Sequence, residues 1–189
     1  MPTSIDICNA ALLSLGGDLI TSLDENSNGA ILCKQFYATT RDELLRLHPW
    51  NFAKTRASLT EVIIPVPAFG WDNGFTLPTD PYCLRVWRME DPTDKFDVEG
   101  RTLLTDQNPA NIVYVKRVED PNEFDALFIE CLELKLAVKL AFPLTKNQGT
   151  ATAMENLFRA RLIFAKGING QERNTDETSS NTFIDVRDE

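Results

Sequence analysis

Histidine is almost missing from this chain: His48 is the only one among 189 residues. Hydrolysis by a Ser-His-Asp or Cys-His arrangement would have to run through it. It stands between a leucine and a proline at a helix end, where capping carbonyls or favouring the negative end of the helix dipole is the ordinary role. The cysteines Cys8, Cys33, Cys83 and Cys131 form no C-x-x-C pair, and with one histidine they cannot supply a tetrahedral zinc site of normal spacing. Cys8, Cys33 and Cys131 fall on apolar helix faces, which suits small buried thiols in a protein made in a reducing cytoplasm. No apolar run approaches the roughly 20 residues of a membrane span, and Met1 leads into a capped polar start rather than a signal peptide, so a soluble chain with no membrane partner is expected. G-x-S-x-G, P-loop and G-x-G-x-x-G patterns are absent, and Gly16-Gly17 is a helix stop, so no cofactor is expected. Positive charge is short as well. Nineteen Lys and Arg face 28 Asp and Glu, a net of −9, which argues against a chain that wraps nucleic acid directly.

What is present is enough apolar material for a core: 43% hydrophobic residues in one chain of this length need no disulfide or metal. Ile5, Cys8, Leu12 and Leu15 recur at helical spacing behind a Thr3 or Ser4 cap, with Asp6 in the first turn. A second helix is expected over 29–48, with Leu32, Phe36, Leu44 and Leu47 on one face and Pro49 as its stop. Eight of the ten prolines then fall between Pro49 and Pro121. Among them lie β-prone runs at 50–59, 75–77, 82–89, 96–105 and 112–118. Asp72-Asn73-Gly74 and Glu99-Gly100 read as turns, the latter joining Phe96-Asp97-Val98 to Thr102-Leu103-Leu104 as a hairpin.

Helical spacing returns over 122–142, free of glycine and proline, with Glu123 and Asp125 at its start and Lys139 near its end. Phe124, Leu127, Cys131, Leu134, Val138 and Ala141 form one apolar stripe, and Ile129, Leu132, Leu136 and Leu140 a second on the opposite side. Such a helix is either the centre of a bundle or has its second stripe on a neighbouring subunit. Pro143 is expected to break it. A fourth helix over 147–168 brings Ala151, Met154, Leu157, Phe158, Leu162 and Ala165 to one face, with Gly167 and Gly170 at its end. Residues 171–189 carry six acidic and two basic residues, with Phe183, Ile184 and Val186 as the only apolar anchors. Alone, such a segment does not fold. The expected fold is therefore α+β, mainly α: an antiparallel bundle of about four helices (1–49 and 121–170) with a small antiparallel β-meander inserted at 50–120 and a flexible C-terminal arm at 171–189.

Acidic neighbours such as Asp42-Glu43, Glu90-Asp91 and Glu119-Asp120 do not point together on a helix or strand, and nothing indicates two carboxylates facing across a cleft. Arg41 is expected to pair with a carboxylate near the helix–sheet junction while Asp42 is solvated. Trp50, Phe52, Trp71 and Trp87 are either core aromatics or, if exposed near cations or hydroxyls, stacking surfaces. No catalytic residue is nominated, and the chain is not expected to be an enzyme.

One stretch carries more. Tyr37-x-x-x-Arg41-Asp42-x-x-Leu45 followed by His48-Pro49-Trp50-Asn51-Phe52-Ala53, with Ile7-Cys8-Asn9-Ala10-Ala11-Leu12 and Ile20-Thr21-Ser22-Leu23-Asp24 before it, resembles the tail tubular protein A, or head-to-tail adaptor, family of short-tailed bacteriophages and prophages. A second block, Leu77-Pro78-Thr79-Asp80-Pro81-Tyr82-Cys83-Leu84-Arg85-Val86, looks like the family's Leu-Pro-x-Asp-aromatic-x-Arg-Val segment with Pro81 inserted before Tyr82. The resemblance marks Tyr37, Arg41, Asp42, Pro49, Trp50, Asn51, Phe52 and Arg85 as structural positions. It implies a virion protein, assembled in the host cytoplasm, of which about a dozen copies ring the channel below the portal at the head–tail junction and carry the tail nozzle, a tail tubular protein B-like partner. Double-stranded DNA would pass through without specific binding.

A head-to-tail ring needs two different faces on each subunit. Ile129, Leu132, Leu136 and Leu140 are one candidate surface, and the arm, through Phe183, Ile184 and Val186, is a candidate contact to the portal. At about 3.3 Å per residue that arm spans roughly 60 Å. Roughly twelve subunits at −9 each total about −100, and an acidic inner wall would let phosphates slide. Two other classes remain: a tail-associated hydrolase of cell-envelope polysaccharide, and a generic oligomeric scaffold.

Overall fold

The computed structural model describes residues 2–60 and 70–172. The fold is α+β and mainly helical, in three layers: four helices, a three-stranded sheet against them, and a second three-stranded sheet beyond it.

Helix α1 (Ser4–Leu13) starts at Thr3, whose hydroxyl accepts from the Asp6 N–H at 3.2 Å while its own N–H donates to the Asp6 carboxylate at 2.7 Å. This reciprocal pair satisfies two donors that the first turn leaves open. Gly16, at φ +70°, ends the following turn in a conformation that glycine adopts without strain. Helix α2 (Asn28–Leu47) starts at Ser27. Its inner face is Ala30, Cys33, Tyr37, Thr40, Arg41, Leu44 and Leu45, so the expected stripe through Leu32, Phe36 and Leu47 is misplaced. Leu32 and Phe36 sit at the margin of the core and Leu47 is exposed. A tyrosine, a threonine and an arginine occupy the buried arc in place of more apolar residues.

The β region is not a meander. Strands β1 (Lys54–Leu59) and β3 (Cys83–Met89) both pair antiparallel with β6 (Ala110–Lys116), giving the order β1-β6-β3. Strands β2 (Asn73–Thr76), β5 (Thr102–Thr105) and β4 (Asp97–Glu99) form the other sheet in that order. The Glu99-Gly100 hairpin is present, with Glu99 opposite Thr102 and Gly100 at φ +60°. Asn73 and Gly74, expected in a turn, lie inside β2. Residues 51–53 form a 3-10 turn, so β1 begins at Lys54 rather than at Trp50. Register shifts after Cys83 and Val86 space the inward residues of β3 three apart, at Cys83, Val86 and Met89. On β6, Ile112 and Tyr114 face the second sheet's cluster while Val115 joins the helical core, the alternation of a middle layer.

Helix α3 (Ala126–Thr145) begins later than expected, capped by Asp125 behind a 3-10 turn at Pro121–Glu123. It passes through Pro143 instead of breaking there. So near the end the missing N–H costs one bond, and Lys146, at φ 55°, closes the helix by donating to Phe142 O at 3.0 Å. Helix α4 (Gln148–Gln171) returns along α3 after a two-residue connection and runs through Gly167, the expected stop. α3 is packed by α1, α2 and α4. Phe128, Cys131, Leu132, Leu136, Ala137 and Leu140 are fully buried in it.

Candidate functional site

The motif run after α2 is the hinge that holds the layers together. Pro49 forces His48 to extended geometry, φ −146° and ψ 143°. That turns Trp50 inward, where it is fully buried, donates Nε1–H to Leu44 O at 3.0 Å and meets the Phe128 ring edge-on at 5.2 Å. Phe52 follows it against Phe128 and Phe124, at 5.0 and 6.0 Å. Asn51 clamps the end of α4: its N–H donates to Asn169 Oδ1 at 2.9 Å, and its side-chain amide donates to Asn169 O at 2.8 Å and to Glu172 at 2.9 Å. Because Asn169 Oδ1 already accepts, its NH2 group faces His48 Nε2 at 2.9 Å, and the ring must accept. Burial, then the charges of Lys166, Lys54 and Arg85, push the His48 pKa down to about 4. His48 is thus a neutral acceptor for α4 rather than a cap on carbonyls.

Arg41 is buried, and it holds Asp42 at 2.9 Å and Glu119 at 3.4 Å. Asp42 also takes Arg117 at 2.8 Å and is only 22% exposed, so it is an inter-layer bridge and not a solvated acid. Tyr37, on the same face of α2, has a buried hydroxyl with no hydrogen-bond partner among the described residues, and burial raises its pKa to about 12.

Arg85 opens onto a feature that the motifs did not signal. Arg46, Arg85, Arg101 and Arg117 converge, with Tyr82, on an open pocket of about 460 Å³ where α2 meets both sheets. Backbone carbonyls orient three of them. Arg46 donates to Leu84 O and Arg85 to Arg46 O at 3.1 Å, while Arg101 reaches Cys83 O at 2.7 Å and Pro78 O at 2.7 Å. Arg101 and Arg117 both lie over the Tyr82 ring, at 4.2 and 4.4 Å. These arginines come from α2, β3, the β4–β5 turn and the end of β6, so no spacing in the chain announces them. Of the other aromatics, Trp87 stands on the first sheet with Lys54 at 5.1 Å and Arg88 at 5.3 Å, and Trp71 is half-buried.

The stripe offered as a subunit surface is not one. Leu132, Leu136 and Leu140 are fully buried in the subunit's own core and Ile129 packs against it. The two-sided helix is the centre of the bundle. Exposed apolar side chains occur on all four helices, Leu13, Ile31, Leu47 and Phe142 among them, but three gather on α4: Leu157, Ile163 (74% exposed) and Phe164. At 100° per residue they share an arc of about 120° with Ala153, Asn156, Ala160 and Gly167, all exposed and none charged. Phe183, Ile184 and Val186 lie outside the described residues.

The adjacent acidic pairs diverge. Glu43 takes Lys139 at 2.7 Å and Lys135 at 3.4 Å while Asp42 takes the arginines; Glu90 receives Asn111 and Asp91 receives Thr93; Glu119 serves Arg41 and Asp120 caps Asn122. Glu133 is raised above the usual carboxylate range by burial, then by Glu130, which is itself paired with Arg161. All four cysteines are free and buried, and among the described residues no helix is long and apolar enough to cross a membrane. No protein-family model matches the chain, and no curated protein matches it.

Proposed function

We propose that this chain is a ring-forming structural subunit of the head-to-tail adaptor type, seated below a portal with a tail nozzle beneath it and packaged DNA passing through its channel. The reading rests on the His48–Phe52 run and the Tyr37/Arg41/Asp42 positions, which resemble that family and which here build the hinge that locks α4 to the sheets.

Two further features support it. A subunit in a cyclic head-to-tail contact needs apolar surface outside its own core, and α4 offers an uncharged face with Leu157, Ile163 and Phe164 exposed, in a chain that is 25% charged. A neighbouring copy is the occupant that this reading assigns to that face. The subunit is also cross-braced by charge across its layers: Arg41–Asp42–Arg117 joins α2 to the end of β6, and Glu43–Lys135/Lys139 joins α2 to α3. Rigid bracing of this kind suits a part that transmits load rather than one that opens around a substrate.

The test is localisation. Electron cryomicroscopy of virions or induced prophage particles is expected to show a closed ring of this fold between portal and nozzle. Particles whose portal vertex carries no copy of this chain would overturn the reading.

A further inference from the structure

The chain carries a net −9, yet it gathers four guanidinium groups around one pocket. Arg117 is matched by Asp42 at 2.8 Å. Among the described residues Arg46, Arg85 and Arg101 have no carboxylate oxygen within 4.0 Å. Glu43 lies beside Arg46 and Arg85 but is already held by Lys139 and Lys135. The partners these arginines do have are backbone carbonyls, which orient a guanidinium without neutralising it. Their remaining N–H groups are therefore fixed in advance for a carboxylate or phosphate.

The position of α4 suggests what fills the pocket. The helix ends on Asn51, which holds both Asn169 and Glu172 and stands five residues along the chain from Arg46 of the pocket. Five residues span at most about 18 Å, and a segment as long as 173–189 can reach roughly 56 Å. Residues 173–189 carry Asp176, Glu177, Asp185, Asp188 and Glu189 against Arg173 and Arg187, a net −3. Tethering gives such a segment an effective concentration on the order of millimolar. A duplex would need cations spread along a track of phosphates and would meet the repulsion of the whole chain. A compact three-arginine cluster fits a short acidic peptide better.

We propose that the acidic segment 173–189 binds its own subunit's arginine pocket, its carboxylates taking the open edges of Arg46, Arg85 and Arg101. This intramolecular latch goes beyond the ring reading and does not depend on it.

The test uses the full chain, isotope-labelled, with a nitroxide on Ser180→Cys, since the four native cysteines are buried. The amide signals of Tyr82, Arg85 and Arg101 are expected to broaden at about 0.1 M salt and recover near 1 M, where the Debye length falls from about 10 to about 3 Å. Broadening should disappear in Arg46→Gln/Arg85→Gln. It should disappear equally in Asp176→Asn/Glu177→Gln/Asp185→Asn/Asp188→Asn, a variant that leaves residues 2–172 untouched and decides the matter if the arginine variant does not fold. A pocket left sharp in the unmodified sequence overturns the proposal, as does broadening that survives the carboxylate variant. Broadening seen only between labelled and spin-labelled chains in a mixture overturns the intramolecular latch. Signals that move with a short DNA duplex while the nitroxide leaves them sharp would assign the pocket to nucleic acid.

Discussion

Helices α3 and α4 lie side by side, are of similar length, and are both rich in leucine, phenylalanine and alanine, yet they put those residues to opposite uses. α3 is enclosed by α1, α2 and α4 and buries apolar side chains on two sides, whereas α4 fully buries only Phe158 and Ala165 and leaves Leu157, Ile163 and Phe164 in the open. Apolar content alone therefore does not locate a contact surface. What separates the two helices is where their charges go: α3 keeps Glu130, Lys135 and Lys139 half-buried in ion pairs with its neighbours, while α4 confines Glu155, Arg159, Arg161 and Lys166 to the arcs flanking its uncharged strip.

The sharpest break of this comparison is a matched pair of truncations. Leu136→Ala in α3 is expected to cost about 2–5 kcal/mol of stability, the range for a cavity in a packed core, because the residue is fully buried. Leu157→Ser in α4 is expected to change stability by no more than about 0.5 kcal/mol. Chemical denaturation of both variants checks the difference, and equal losses would make α4 part of the core.

Next in size is the clamp that holds α4 in place. Asn51→Ala removes the two side-chain hydrogen bonds to the end of α4, leaving only the backbone N–H on Asn169, and should cost about 1–3 kcal/mol, with faster amide hydrogen exchange confined to the end of α4.

His48 gives the same contact a pH dependence. Its pKa is held near 4 in the folded chain, against about 6.5 when unfolded. As pH falls below 6.5 the unfolded chain takes up a proton that the native ring refuses, so stability drops between pH 6.5 and 4 and this contribution levels off below. After allowance for partial solvent exposure the loss is about 1–2 kcal/mol. His48→Gln, which cannot titrate, should flatten that part of the curve relative to the unmodified chain.

The smallest effect is expected at Tyr37, whose hydroxyl is buried without a partner. Tyr37→Phe should leave stability unchanged or raise it by up to about 1 kcal/mol, read from the shift in midpoint.

Much of the helical half was legible in the chain. The Thr3–Asp6 cap, the Pro49 stop and the α+β class all follow from local chemistry, as does the Glu99-Gly100 hairpin, whose strands are neighbours. The pairing of Lys54 with Val115 is not local, and no pattern within either strand names its partner. The bulges in β3 erase the period of two on which strand faces are read. Pro143 misled because a proline close to a helix end costs little. The motif positions Trp50 and Asn51 were recognisable, but their task as a clamp on Asn169 and Glu172 depends on a helix that begins almost a hundred residues later. The arginine pocket was invisible for the same reason: only Arg85 of its four arginines lay in a motif.

Native mass measurement of the full chain, alone and with a portal protein, is predicted to show closed rings on the portal that are lost when Leu157, Ile163 and Phe164 are all changed to serine in a chain that remains folded. A chain that stays strictly monomeric with portal present, or rings indifferent to those three changes, would contradict the ring reading.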